Sequence, residues 1–74
     1  MLHQPTRHAA AAEHANGILV SFRHVSHVRI DHARGCATVV GIRSRLPVEV
    51  IVPIEVGEAL RRLGVRAVRS GVAG

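Results

Sequence analysis

The sequence contains no lysine, tryptophan or tyrosine, and Phe22 is its only aromatic residue. A base-stacking surface of the RNA-recognition type needs several aromatic side chains, so that class of protein is excluded. Valine, isoleucine, leucine and alanine must supply nearly all of the apolar core. The 74 residues allow one small domain and leave too little scaffold for a large catalytic cleft.

Cysteine and long apolar runs are also scarce. Cys36 is the single cysteine and cannot form an internal disulfide, so we expect a cytoplasmic protein. The longest apolar run, residues 50–54, is interrupted by Pro53 and is far too short to span a membrane. The first residues lack the continuous apolar segment of a secretory signal.

Acidic residues number five against ten arginines, which gives a net charge of +5 with histidine neutral. A guanidinium group binds phosphate or carboxylate in a forked geometry, so arginine suits recognition better than lysine does. The charge therefore predicts an anionic partner, with nucleic acid first, an acidic protein surface second and an anionic membrane third.

The amino-terminal third divides at the pair Asn16-Gly17, after which β-branched residues become frequent. We expect a flexible tail over residues 1–17. The alternation over residues 18–22 predicts a strand. A bend near residues 23–26 and a second strand over about 27–31 follow.

A hairpin is the strongest local prediction. Gly35 suits a tight turn that leads into a strand over residues 37–43. Residues 44–47 form the next turn, and residues 48–52 return as the following strand.

One amphipathic helix is predicted over about residues 54–63, with Gly64 as its C-terminal stop. Gly57 inside this helix costs about 1 kcal/mol relative to alanine, which indicates close approach to a surface, either the sheet or a second copy of the chain. A short strand over residues 65–68 follows, and residues 70–74 are expected to fray.

These elements predict an α+β domain over residues 18–69, with a mainly antiparallel sheet of three or four strands and one short helix on one face. Both faces of the strands carry large apolar residues, as in Val39 with Val40 and Val50 with Ile51. One short helix cannot cover both faces, so we expect a homodimer or higher oligomer.

Histidine and cysteine offer a possible zinc set at His24, His27, His32 and Cys36. Residues three apart on a strand point to opposite faces, so His24 and His27 converge only across a bend. Solvated histidines beside a small buried cysteine explain the pattern better. We expect no metal, no cofactor and no enzyme activity.

The arginines form the candidate nucleic-acid-binding set. The carboxyl-terminal group concentrates four positive charges within nine residues, and two more flank the hairpin turn. The candidates are Arg61, Arg62, Arg66, Arg69, Arg43 and Arg45.

The stretches HVSHVRID (24–31), VEVIVPIEVGEALRRLG (48–64) and VRAVRS (65–70) resemble the opening half of a LytTR-type DNA-binding domain. Small flagellar regulators of the FlbD type have a similar outline. The resemblance implies DNA binding, with Arg66 and Arg69 in the segment that contacts DNA. This chain ends where such a domain continues with further strands.

Two functions are therefore expected. The first is a small basic, non-catalytic regulator of transcription that binds nucleic acid, most simply duplex DNA, as a dimer. The alternative is a phage- or plasmid-type inhibitor or adaptor that docks on an acidic protein.

Overall fold

A computed structural model describes residues 7–69, which form a four-stranded sheet and two helices. The elements in chain order are α1 (Arg7–Ser21), β1 (His24–Asp31), β2 (Cys36–Arg43), β3 (Leu46–Pro53), α2 (Ile54–Arg62) and β4 (Ala67–Arg69). The predicted α+β class is confirmed. The expected fraying of residues 70–74 lies outside the described residues.

The sheet has the strand order β3-β2-β1-β4. The β1–β2 and β2–β3 pairs are antiparallel, whereas β4 pairs parallel to β1. Strand β3 therefore runs in the same direction as β4, and the two lie at opposite edges of the sheet. Strands that run in the same direction cannot be joined by a tight turn, and α2 makes the crossover between them. The predicted hairpin corresponds to β2 and β3, each slightly longer than expected.

Strand β1 contains an irregularity in place of the predicted bend. Its pairing with β2 shifts register between Val25 and His27, which leaves Ser26 as an extra residue. A β-bulge of this kind bends a strand without ending it. The strand therefore begins at His24, earlier than the sequence predicts.

Helix α2 lies where the sequence predicts it. Pro53 is its N-cap, and Gly64 follows it with a φ of +100°. The N–H of Gly64 donates to the carbonyl of Arg61 at 3.0 Å, and that of Val65 donates to the carbonyl of Leu60 at 3.0 Å. This pair of bonds is the Schellman motif, which ends the helix and turns the chain toward β4.

Helix α1 corrects two expectations. The sequence predicts a tail over residues 1–17 and a strand over residues 18–22, whereas residues 7–21 form one helix. Ile18 and Phe22, four residues apart, are buried on one face, while Val20 between them is 86% exposed. An alternating strand would place all three side chains on the same face, so the strand prediction is wrong.

Both helices contribute to one core on a single face of the sheet. The buried residues are Ala11, Ala15, Ile18, Phe22, Val28, Ile30, Ala37, Val39, Val52, Val56 and Leu60. A Cβ atom placed on Gly57 would lie 2.5 Å from the Cβ of Ala37 in β2. The surface that Gly57 approaches is therefore the sheet.

The opposite side of the sheet, which we call the open face, has no helix over it within residues 7–69. Strand alternation and register assign its residues. They are His24, His27, Arg29, Asp31, Cys36, Thr38, Val40, Ile42, Pro47, Glu49, Ile51, Pro53 and Val68.

Candidate nucleic-acid interface

The six candidate arginines occupy two separate parts of the sheet. Arg69 in β4 is level with Ile30, and Ile30 pairs with Ala37 of β2. Arg43 lies six residues further along β2, which corresponds to about 20 Å at roughly 3.4 Å per residue. The structure therefore does not bring the six side chains together.

The first group, which we call the hairpin patch, consists of Arg23, Arg43 and Arg45. The Arg43 guanidinium lies over the Phe22 ring at 5.6 Å from its centroid, within cation–π range. The backbone N–H of Arg23 donates to the carbonyl of Ile42 at 2.8 Å and fixes the end of α1 against β2. Arg23 was not predicted, because only this pairing places it beside the turn.

The second group, which we call the C-terminal cluster, consists of Arg61, Arg62, Arg66 and Arg69. Arg61 and Arg69 line one open groove of about 370 Å³ between α2 and β4, together with His32 and Glu58. Glu58 accepts hydrogen bonds from Nε and Nη2 of Arg61 at 3.2 and 3.1 Å. Glu58 precedes Arg61 by one turn of α2, whereas no local spacing in the sequence relates His32 in the β1–β2 loop to β4.

The other two members of the C-terminal cluster face different surroundings. Arg66 lines a shallow cleft with Ser26 and His27 beside the start of β4. Arg62 lies between the two helices, next to Ala12 and other residues of α1. The cluster thus extends around the connection from α2 to β4 and does not form one flat surface.

Ion pairs separate the arginines into two kinds. Three carboxylates already hold an arginine, in the pairs Arg29–Glu49, Arg34–Asp31 and Arg61–Glu58. Within residues 9–69, six exposed arginines form no ion pair, namely Arg23, Arg43, Arg45, Arg62, Arg66 and Arg69. Unneutralised positive charge therefore remains in both groups.

The structure does not bring together the four residues considered as a possible zinc set, His24, His27, His32 and Cys36. The bulge in β1 places His24 and His27 on the open face together, while Cys36 lies toward the other end of that face and His32 lies in the loop beyond β1. Across residues 7–69, no three His, Cys, Asp or Glu side chains are grouped to hold a metal ion. Cys36 is partly buried and carries a free thiol.

No family model, no curated protein and no solved structure matches this chain. The resemblance to LytTR-type domains therefore stays a prediction. In the part of the chain that the structure describes, neither helix is both long and apolar enough to cross a lipid bilayer.

Proposed function

We propose that this protein is a small, non-catalytic regulator that binds nucleic acid, with duplex DNA as the expected form. The observation that carries the proposal is the set of six exposed arginines without an acidic partner within residues 9–69, divided between the hairpin patch and the C-terminal cluster. Arginines of this kind gain no stability from an ion pair within the fold, and their guanidinium groups are exposed to an anionic partner.

The separation of the two groups supports contact with a duplex. About 20 Å along the strand direction exceeds the roughly 12 Å width of the B-DNA major groove. The two groups can therefore reach phosphates on either side of that groove. Contacts of this type fix position on the duplex and carry no sequence information by themselves.

The proposal includes a cytoplasmic location, because a chain with one free cysteine needs no oxidising compartment. An acidic protein could attract the same arginines, which makes an inhibitor or adaptor the alternative. Competition distinguishes the two: excess unrelated duplex removes a nucleic-acid-binding protein from its probe but leaves an adaptor on its protein partner.

Single substitutions of unpaired arginines test the proposal directly. Arg66→Ala and Arg69→Ala are each expected to weaken binding to a labelled duplex and to reduce the magnitude of the log–log salt slope by about 1. Fluorescence anisotropy at several salt concentrations measures both quantities.

Arg34→Ala is the matched control, because it removes one positive charge from an arginine that Asp31 already holds. We expect its salt slope to equal that of the unaltered protein. Equal losses in all three variants would indicate a response to net charge alone and would contradict the assignment of Arg66 and Arg69.

A further inference from the structure

The open face is apolar along its centre, where a solvated sheet face would carry polar residues. Antiparallel sheets with one solvated side alternate apolar and polar residues, with polar residues facing water. The outward positions of the inner strand β2 are Cys36, Thr38, Val40 and Ile42, none of which is charged. Ile51 on β3 is 74% exposed, which is unfavourable for a large aliphatic side chain in water.

The charge on this face differs from that of the whole chain. It carries one guanidinium, Arg29, and two carboxylates, Asp31 and Glu49, a formal charge of −1 on a chain of +5. Nucleic acid and acidic proteins therefore gain little here. Asp31 is already paired with Arg34, so a suitable partner is apolar, nearly neutral and able to match Arg29 and Glu49.

We infer that the partner is a second copy of this chain, stacked open face to open face. Strand β2 lies between β1, which carries Arg29, and β3, which carries Glu49. A twofold axis parallel to β2 places β1 of one copy over β3 of the other, so Arg29 approaches Glu49 of the second copy. The same two residues already form an ion pair within one chain, which shows that their charges and reach are compatible.

The size of the face agrees with a weak but specific dimer. Three strands of eight residues and a short fourth cover about 400 Å² in projection, at roughly 4.8 Å between strands and 3.3 Å per residue. Because the surface is uneven, its solvent-accessible area is larger than this projected area. The face is therefore close to the roughly 600 Å² per partner found in the smaller specific interfaces.

Extension of the sheet through its β3 edge is a less favourable geometry. Pro47 and Pro53 lie near the two ends of β3, and proline has no backbone N–H to donate to another strand. The arginine groups of a face-to-face dimer remain accessible, because most of their members lie on the helix side or at the rim. This inference does not depend on nucleic-acid binding.

Sedimentation of the full chain at tens of micromolar tests the inference. We expect twice the chain mass of 7.9 kDa for the unaltered protein and monomer mass for Ile51→Lys. Val20→Lys is the matched control, since Val20 is at least as exposed as Ile51 but lies on α1, and it is expected to remain dimeric. Circular dichroism checks that both variants fold.

Charge-reversal variants of Arg29 and Glu49 provide a more specific test of the interface. R29E and E49R are each expected to sediment as monomers, because like charges then meet across the interface. An equimolar mixture of the two is expected to form heterodimers, a result that the ion pair within one chain cannot produce. A monomeric unaltered protein, a dimeric I51K or a mixture that stays monomeric would each overturn the inference.

Discussion

Gly17 in α1 and Gly57 in α2 are chemically identical residues in opposite surroundings. An added Cβ at Gly57 would overlap the Cβ of Ala37, whereas one at Gly17 would meet nothing within 4 Å. Helix propensity alone favours alanine over glycine at both sites by about 1 kcal/mol. At Gly57, packing against the sheet therefore determines whether alanine stabilises or destabilises the fold.

Gly57→Ala is predicted to destabilise the fold by about 1–3 kcal/mol, because the overlap forces α2 away from the sheet. For a domain of this size, thermal unfolding should shift downward by at least about 4 °C. Combining G57A with A37G relieves the contact and is expected to recover part of the loss. A stability equal to or above that of the unaltered protein would show that α2 does not pack this closely.

Gly17→Ala, measured in the same thermal melts, should raise stability by about 0.5–1 kcal/mol. The gain follows because the site is helical and open to solvent. If G17A lowered the melting temperature, residues 7–21 would not be a helix in solution.

The β2–β3 turn is the element under most backbone strain. Ser44 and Arg45 have φ values of +53° and +68°, in the left-handed region that side chains other than glycine, asparagine and aspartate disfavour. Two-residue hairpin turns with both φ values positive prefer Asn-Gly. The turn therefore follows the sheet twist at a local energetic cost.

Replacing Ser44-Arg45 by Asn-Gly, as S44N/R45G, is predicted to stabilise the protein by about 1 kcal/mol and to raise the melting temperature by about 4–8 °C. R45A is the control, because it removes the same charge and keeps the strained conformation. If S44N/R45G and R45A melted together, the turn conformation would not be the one described.

The elements that could be predicted from the sequence are those whose signals are local. Strands β2 and β3 are joined by two residues, and α2 has Pro53 before it and Gly64 after it. The residues that end each of these elements lie next to its boundary in the sequence. The register of β4 on β1 depends on a distant pairing and had no such signal.

Helix α1 was missed because residues 18–22 satisfy two periodicities. Ile18 and Phe22 share a face in either a strand or a helix, so their spacing cannot distinguish the two. The decisive residues were Ala11 and Ala15, which continue the helical spacing backward and are buried. Alanine was too weak an apolar signal to extend the pattern, and Asn16-Gly17 was interpreted as a break.

The sequence indicates the candidate arginines by residue type but not how the fold arranges them. Arg61 and Arg69 lie eight residues apart in the sequence, and the crossover from α2 to β4 places them in one groove. The division between paired and unpaired arginines depends on contacts such as Arg29–Glu49, twenty residues apart in the chain. No sequence spacing indicates such a pair.

For the whole molecule, the distribution of charge is more informative than the total. Carboxylates neutralise Arg29, Arg34 and Arg61, and the open face is nearly neutral. The remaining positive charge lies in two groups separated by about 20 Å. We therefore propose different partners for different surfaces. The open face would contact a second copy of the chain, and the hairpin patch and C-terminal cluster would contact a polyanion.

The central claim is that the unpaired arginines contact phosphate, and the salt dependence of duplex binding by the unaltered protein tests it most directly. Each phosphate contact contributes about 0.9 to the magnitude of the log–log slope. Engagement of at least four of the six unpaired arginines predicts a slope of about −3.6 or steeper between roughly 50 and 200 mM salt. A slope shallower than about −1, or no binding at the lowest salt, would contradict the account.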